Sequence, residues 1–203
     1  IESKAASRIR LAARLEPDAL PDTLLARTTE QVETGLDPVT GSFLARRRRR
    51  LGTLVLSDRT EQADPALVTE SLAANVAAES LRPLPWTDTT RQFQARVALM
   101  RAVEPDGEWP DLSDAALIEA VQEWLPPYLT GIARLPDLQR LDLPDILRAR
   151  LPWPLAARLD RDLPTHLALP GGRAAIDYTE DPPLASARAQ AFYGLSATPK
   201  LAG

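Results

Sequence analysis

Five consecutive arginines, Arg46 to Arg50, are the densest local charge in this sequence. A guanidinium group binds phosphate through two parallel hydrogen bonds, so such a run can position the backbone of a nucleic acid without reading its bases. The flanking pattern predicts a β-strand, in which successive side chains point to opposite faces. Arg46, Arg48 and Arg50 therefore share one predicted face. Arg47 and Arg49 share the other.

A strand that is charged on both faces cannot be buried on both. We therefore expect the arginine run to lie at a sheet edge, or to reach across a groove towards a partner. In one interpretation the arginines contact phosphate. In the other they form a solvated edge that pairs with acids such as Glu30 and Glu33 on the neighbouring strand. Phe43 lies just before the run, but a single aromatic residue is weak support for base stacking.

The tail of the chain holds a second group of candidate residues. His166, the only histidine, begins a short apolar run that ends at Pro170 and the Gly171–Gly172 pair. An alternating run over 173–178 follows, a pattern that predicts a β-hairpin with a loop of three to five residues. For His166 the plainer interpretation is a partly buried side chain bonded to backbone near the turn. The alternative is a ligand contact.

The sequence contains no motif for nucleotide hydrolysis. A phosphate-binding loop needs glycines followed by Lys and Ser or Thr, and neither that run nor an Asp-Glu-x-His box occurs. There is no Gly-x-Ser-x-Gly turn for a nucleophile, and no carboxylate pair stands out among the plentiful acids. With no cysteine and one histidine, thiolate and histidine-rich metal sites are excluded. We expect no catalytic residue and no metal site.

The composition is that of an ordinary soluble globular protein. Of the 203 residues, 44% are hydrophobic and 26% are charged, and the formal net charge is −4. No global positive field attracts nucleic acid, so any contact must come from a local patch. No apolar run approaches membrane-spanning length and no signal peptide is visible, so we expect a cytoplasmic protein without a membrane segment. Because the sequence starts at Ile1 and stops abruptly, we expect a fragment of a longer polypeptide.

The pattern along the chain predicts an α+β fold in three parts. Residues 1–60 alternate as an antiparallel, β-rich part, with a first strand at 7–15, and we expect part of a barrel. Residues 64–162 predict a central bundle of short helices, punctuated by many of the nineteen prolines. Residues 163–203 predict a β-hairpin plus a short helix, the start of a C-terminal module truncated at 203.

Three predicted helices have clear starts. Asp64, Thr87 and Ser113 are residue types that cap a helix N-terminus, and Pro65 suits the first helical position. The third helix is expected to bury a face made of Leu117, Val121, Trp124 and Tyr128 before Pro126-Pro127 bends or ends it. All four tryptophans lie at predicted helix ends or on apolar stripes, so packing in the core or at an interface is expected for them.

Several motifs resemble those of one known family. The tail combines a Pro-Thr-His run, a Pro-Gly turn, an Ile-Asp-Tyr strand, a Pro-Pro pair, and Arg-x-Gln before an aromatic residue and Gly. These positions are Pro164, Thr165, His166, Pro170, Gly172, Ile176, Asp177, Tyr178, Pro182, Pro183, Arg188, Gln190, Tyr193 and Gly194. Further motifs resemble the family in the same order: residues 45–56, residues 109–114, and Leu-Pro-Trp at 84 and 151. The chain resembles the C-terminal region of the HrpB-type ATP-dependent helicases, a bacterial branch of the DEAH-box helicase-like proteins.

Two departures from the family pattern are visible. The hairpin loop is one residue shorter than in the family, and Gly171 stands where a serine is common. The family also continues into a further strand-rich segment beyond residue 203. A role for a loop hydroxyl is therefore in doubt, and the hairpin is expected to lack strand partners that come later.

The resemblance implies a parent protein that hydrolyses ATP with Mg²⁺ in two RecA-like domains upstream of Ile1. The fragment itself would be non-catalytic and would hold no cofactor. It would guide or anchor nucleic acid, single-stranded RNA in our expectation, for the helicase core of the same chain, with Arg46 to Arg50 as the contact. The alternative is a module that docks another protein without touching nucleic acid. The resemblance also marks residues whose role is unknown: His166, Gly172, Asp177, Tyr178 and Arg188.

Overall fold

The computed structural model describes residues 20–197 and residue 201. The strand predicted at 7–15 lies outside the described residues. The described part begins with a short helix α1 (Asp22–Leu25), which leads into the first sheet. The combination of antiparallel sheets and short helices confirms the predicted α+β class.

The first sheet is an antiparallel meander of three strands in the described range. Its strands are β1 (Thr29–Leu36), β2 (Phe43–Leu51) and β3 (Leu54–Gln62), in the spatial order β1-β2-β3. The turn after β1 is set by Asp37, whose carboxylate accepts hydrogen bonds from the backbone of Val39 at 3.0 Å and the hydroxyl of Thr40 at 2.7 Å. Among the described residues this sheet is open, not a closed barrel.

The position of the arginine run in this sheet differs from the expectation. Strand β2, which carries Arg46 to Arg50, is the central strand and pairs with β1 on one side and β3 on the other. The prediction of an edge strand was therefore wrong. It assumed that charge on both faces excludes a central position, but a central strand tolerates such charge when its neighbours supply counter-charges and the faces remain partly solvated.

The middle of the chain is a bundle of short helices. They are α2 (Pro65–Ala78), α3 (Asp88–Val103), α4 (Asp114–Glu119), α5 (Val121–Trp124), α6 (Leu143–Arg148) and α7 (Trp153–Asp162), with 3₁₀ turns at Pro126–Tyr128 and Leu135–Arg140. The predicted caps are confirmed: the side chains of Asp64, Thr87 and Ser113 each accept a hydrogen bond from the first turn of α2, α3 and α4. Helix α2 packs against α4 and α5, and α3 packs against α6 and α7.

The core lies between these helices and receives side chains from both sheets. Phe43 and Ala45 enter it from β2, and Ile176 and Tyr178 enter it from the C-terminal region. Leu117, Val121 and Trp124 are buried, as predicted. Tyr128 is 40% exposed, contrary to the prediction, because α5 ends at Trp124 and the chain turns into a 3₁₀ segment.

The C-terminal region forms a second antiparallel sheet. It contains β4 (His166–Leu169), β5 (Gly172–Asp177) and β6 (Leu184–Ser186), with β5 in the centre. The predicted hairpin is present, but only Pro170 and Gly171 lie between its strands, fewer than the three to five loop residues expected. Strand β6 was not predicted. The expected short helix is a single 3₁₀ turn, Ala189–Phe192.

The hairpin turn is packed against that 3₁₀ turn. The backbone N–H of Gly171 donates to the carbonyl of Ala191 at 3.1 Å. A Cβ atom at Gly171 would lie 2.8 Å from the carbonyl oxygen of Gln190 and 2.9 Å from Cα of Ala191, closer than real Cβ contacts. The position therefore requires a glycine for close approach, and a loop serine would not fit here without movement of the backbone.

One buried charge joins α3 to the end of α7. Arg96 on α3 is 4% exposed. Its guanidinium donates to the carbonyl of Leu163 at 2.7 Å, to that of Leu159 at 3.2 Å and to the carboxylate of Asp160 at 2.8 Å. Leu163 is the C-cap residue of α7, and the carbonyl of Leu159 also accepts from the backbone N–H of Leu163 at 3.0 Å. Arg96 therefore binds the end of α7 from a neighbouring helix.

We expect Arg96→Met to lower the free energy of unfolding by about 3 kcal/mol, because the carbonyl of Leu163 loses its side-chain donor, that of Leu159 loses one of its two donors, and Asp160 loses a buried partner. Arg161→Met is the matched control, since Arg161 is exposed and its ion-pair partner within residues 20–197 is Asp162 alone, and it should cost less than about 1 kcal/mol. Urea denaturation of both variants measures the difference. Equal destabilisation by the two variants would contradict the assigned role of Arg96.

Candidate nucleic-acid interface

One face of the arginine strand is tied to acids on both neighbouring strands. Arg46 forms a two-pronged pair with Asp58, from Nε to Oδ1 and from Nη2 to Oδ2, both at 2.8 Å. Arg48 shares the same carboxylate at 3.2 Å and approaches Glu33 at 3.6 Å. The hydrogen bonds from Arg46, and then those from Arg48, hold the pKa of Asp58 below its usual value. This carboxylate therefore stays ionised between its two arginines.

The opposite face repeats the arrangement with other partners. Arg47 pairs with Glu30 on β1 and, through Nε, with Glu61 on β3 at 2.9 Å. Hydrogen bonds first to Glu30 and then to Glu61 raise the pKa of Arg47. The interpretation that the arginines pair with acids of the neighbouring strand, such as Glu30 and Glu33, is confirmed. That pairing does not by itself decide between a solvated sheet and a phosphate site.

The other basic residues of the sheet have no such acids. Arg49 donates through Nε to the hydroxyl of Thr28 at 3.2 Å, and Arg59 lies directly opposite Arg47 in the register. Within residues 20–197, neither Arg49, Arg50 nor Arg59 has a carboxylate within ion-pair distance. Nε of Arg50 is buried and has no hydrogen-bond partner there. Among the described residues, these three side chains carry the positive charge of the sheet that no carboxylate pairs with.

The sheet as a whole is close to neutral. Residues 29–62 contain six arginines and five acids, a formal charge of +1. The paired guanidiniums remain accessible, since the side chains of Arg46 and Arg47 are 54% and 46% exposed. Each paired arginine uses two of its three nitrogens for carboxylates, which leaves one terminal nitrogen with no acidic partner in the described residues. The sheet therefore presents a row of oriented guanidinium N–H donors without a strong positive electrostatic field.

Some of the aromatic residues are buried in the core and one tryptophan is exposed to solvent. Phe43 is 7% exposed and packs in the core, so it offers no stacking surface beside the arginines. Trp109 and Trp124 are buried, and Trp86 lies beneath the guanidinium of Arg91, 3.7 Å from the ring centroid. Trp153 is 81% exposed at the start of α7. Trp153 therefore does not pack in the core, which leaves the interface as the expected alternative for this residue.

His166 is more exposed than its sequence context predicted. It lies at the start of β4 and its Nδ1 is 3.0 Å from the hydroxyl oxygen of Thr165. The expectation of a partly buried ring bonded to backbone was wrong: the ring is exposed and its contact is to a side chain. The reason is register, because His166 stands opposite Ala175 on the solvent-facing side of the hairpin.

Asp177 and Tyr178 are held by a single residue of the bundle. Gln92 on α3 accepts a hydrogen bond from the backbone N–H of Tyr178 at 2.8 Å and donates to the carboxylate of Asp177 at 2.5 Å. Hydrogen bonds from Thr179 and then from Gln92 lower the pKa of Asp177. Tyr178 donates its hydroxyl to the carbonyl of Pro164 at 2.6 Å, and burial raises its pKa. Both residues thus have a structural role in docking β5.

The remaining tail residues lie apart from this cluster. Gly172 opens β5 opposite Leu169, and Arg188 precedes the 3₁₀ turn, where its carbonyl accepts from the N–H of Ala191 at 2.8 Å. His166 and Tyr178 line a common cavity of about 510 Å³ with Arg96, whereas Gly172, Arg188 and the arginine strand do not line it. The structure therefore brings together only part of the sequence-predicted set.

Neither a metal-binding cluster nor a membrane-spanning helix occurs among the described residues. No cluster of three or more His, Asp or Glu side chains suited to a metal ion occurs among them. Within the same part of the chain, every helix is too short or too polar to span a bilayer.

Comparison with known proteins agrees with the motif pattern. A family model described as ATP-dependent helicase C-terminal matches residues 124–203. The ATP-dependent RNA helicase HrpB of Escherichia coli (strain K12) is 32% identical over 202 residues, which are 97% of this chain and 25% of that protein. The chain is homologous to the C-terminal region of HrpB-type ATP-dependent helicases. It spans about a quarter of the length of this relative.

Two solved structures show the same arrangement. The crystal structure of the E. coli DExH-box NTPase HrpB superposes with a TM-score of 0.69 at 30% identity, over 98% of this chain and 26% of that one. A structure of the E. coli DEAH/RHA helicase HrpB gives 0.67 at 30% identity, over 87% of this chain and 23% of that one. The resemblance to the HrpB type inferred from the motifs is thereby confirmed in both sequence and fold.

We expect Gln92→Ala to speed the hydrogen exchange of the Tyr178 amide about fivefold to tenfold, because the only side-chain acceptor of that amide is removed. Gln139→Ala is a matched control, since Gln139 also donates through its amide, to the carbonyl of Pro83 at 2.9 Å, but does not touch the tail. Exchange is measured by two-dimensional NMR. Unchanged protection of Tyr178 in the Gln92 variant would show that Gln92 does not dock β5.

Proposed function

We propose that this chain is a non-catalytic accessory region of an ATP-dependent RNA helicase, and that it guides single-stranded RNA for motor domains elsewhere in the same polypeptide. The relative named as an RNA helicase supports the substrate class. The sequence itself has no phosphate-binding loop. In this proposal ATP and Mg²⁺ act in upstream RecA-like domains, and the parent protein works in the bacterial cytoplasm.

The observation that carries the proposal is the arrangement of arginines on β2. Acids on β1 and β3 fix the guanidiniums of Arg46, Arg47 and Arg48 in defined orientations, and each keeps a terminal nitrogen that has no acidic partner in the described part of the chain. Ordered guanidiniums lose less side-chain entropy when they bind a phosphate. The adjacent Arg49 and Arg59 add charge that the sheet does not compensate. Such a surface suits weak, sequence-independent contact with an RNA backbone that must slide.

A second candidate function is docking of a protein partner. Trp153 is 81% exposed and Tyr193 is 72% exposed, and exposed aromatic anchors are typical of protein interfaces. In this alternative the acids neutralise the arginine sheet and it never touches RNA. Binding measurements on the arginine variants separate the two functions.

We expect Arg49→Gln combined with Arg59→Gln to weaken binding to a single-stranded RNA about tenfold at low salt. Each lost phosphate contact removes about 0.7 from the slope of log affinity against log salt, so the slope should fall by about 1.4. Arg140→Gln combined with Arg161→Gln is the control, because it changes net charge equally at two exposed arginines outside the sheet. Fluorescence anisotropy over a salt series gives both quantities.

Three outcomes of this experiment would count against RNA guidance. The wild-type chain could fail to bind RNA at low salt. The two double variants could lose equal affinity, which would indicate a net-charge effect and no local patch. RNA binding could persist unchanged in the sheet variant while Trp153→Ala abolishes capture of a protein partner, which would favour docking.

We expect Asp58→Asn to strengthen RNA binding about threefold and to steepen the salt dependence, because the substitution releases Arg46 and Arg48 from their shared carboxylate. Asp137→Asn is a matched control: Asp137 also pairs with two arginines, Arg134 and Arg140, but lies in a 3₁₀ turn and contacts none of the arginines of the sheet strands among the described residues. The same anisotropy assay applies. Equal gains in both variants would mean that only the total charge matters.

A further inference from the structure

The cavity beside the C-terminal sheet has the features of a ligand site. Its volume of about 510 Å³ lies in the range of small-molecule pockets. It is enclosed by α3, α6, α7 and the hairpin of β4 and β5. Phe93, Pro144, Ile176 and Tyr178 supply apolar walls, and ionisable side chains from four of these elements meet at its edge.

The buried Arg96 contributes an unused donor to this cavity. Its Nε and Nη2 are committed to Leu163, Leu159 and Asp160. Nη1 has no hydrogen-bond partner among residues 20–197, and Arg96 is one of the residues that line the cavity. A guanidinium that is 4% exposed thus retains two N–H groups for a ligand acceptor.

Two exposed acceptors also line the same cavity. Asp88 at the start of α3 and Asp145 on α6 both line it. Neither carboxylate has a hydrogen-bond or ion-pair partner within the described part of the chain. Asp160 is already held by Arg96 and Arg148. The lining therefore combines one buried donor with two unpaired carboxylates.

This combination selects the chemistry of the ligand. Asp88, Asp145 and Asp160 outnumber Arg96 and Arg148 by one, so a phosphate or other free anion is disfavoured. A basic side chain would satisfy the carboxylates but would leave Nη1 of Arg96 without an acceptor. A neutral, flat group with both acceptors and donors on its edge satisfies both requirements and fills the apolar space.

We propose that this cavity binds an unpaired guanine base. Guanine presents O6 and N7 as acceptors for an arginine. Its N1–H and N2–H₂ groups are adjacent donors that match a carboxylate. The proposal rests on the proposed RNA guidance, and it adds to it a base-specific contact remote from the arginine strand. His166 also lines the cavity, opposite Ala175, and its exposed ring is available to cover the sugar.

The test is calorimetric or saturation-transfer NMR titration of the 203-residue chain with guanosine, and with adenosine, cytidine and uridine in parallel. Guanosine should bind about tenfold more tightly than the other three nucleosides. Ala175→Trp should abolish binding by filling the cavity. Ala168→Trp is the matched control, because Ala168 is exposed on the same face of the hairpin and does not line the cavity. Asp88→Asn combined with Asp145→Asn should remove the preference for guanosine.

Several results would overturn the proposal. Absence of guanosine binding would do so, as would equal binding by the Ala175 and Ala168 variants. Guanosine monophosphate binding more tightly than guanosine would identify an anion site instead. Uptake of a short peptide with no nucleoside binding would identify a peptide site.

The outcomes also separate this inference from the proposed function. If RNA binding depends on Arg49 and Arg59 but no nucleoside enters the cavity, only the guanine site fails. If guanosine binds and Ala175→Trp blocks it, while the sheet variants leave RNA affinity unchanged, the cavity stands and guidance by the arginine sheet fails.

Discussion

A buried guanidinium needs hydrogen-bond partners, and in this protein that need organises the C-terminal half. Arg96 lies on α3 and places Nε and Nη2 on the end of α7, the helix that precedes the hairpin. Gln92 lies one turn earlier on the same face of α3, since residues four apart are neighbours on a helix, and it holds the end of β5. Two polar side chains of one helix therefore fix both ends of the segment 159–178. The cavity between them exists because these contacts keep the hairpin beside the bundle without filling the space.

In the first sheet, the electrostatic constraint is the run of arginines on the central strand β2. Charges on a central strand repel one another unless the flanking strands supply opposite charges in register. Here Asp58 serves two arginines on one face, and Arg47 joins β1 to β3 on the other. These pairs are exposed, so they contribute little to folding free energy. Their larger effect is on orientation and on the net field, which they reduce to a level compatible with reversible contact.

Features governed by local chemistry could be predicted from the sequence. Caps at Asp64, Thr87 and Ser113 depend on a side chain and the next turn of backbone, and the hairpin depends on residues within one short segment. Features that depend on distant partners could not. The central position of β2 depends on its pairing with both β1 and β3. The exposure of Trp153 depends on how the rest of the described chain packs around the start of α7. The cavity needs five segments that are separated by up to ninety residues in sequence, and no local pattern encodes that convergence.

The contact between the hairpin turn and the 3₁₀ turn has a consequence for how relatives of this chain can differ. The space above Gly171 is closed by the backbone of Gln190 and Ala191, and backbone cannot move aside as a side chain can. A relative with serine at the equivalent position must hold its final segment farther from the turn, and a longer turn supplies that distance. The length of the turn, the residue at position 171 and the path of the terminal segment must therefore change together. An alignment that shifts a gap by one residue here would assign the wrong partners to the whole tail.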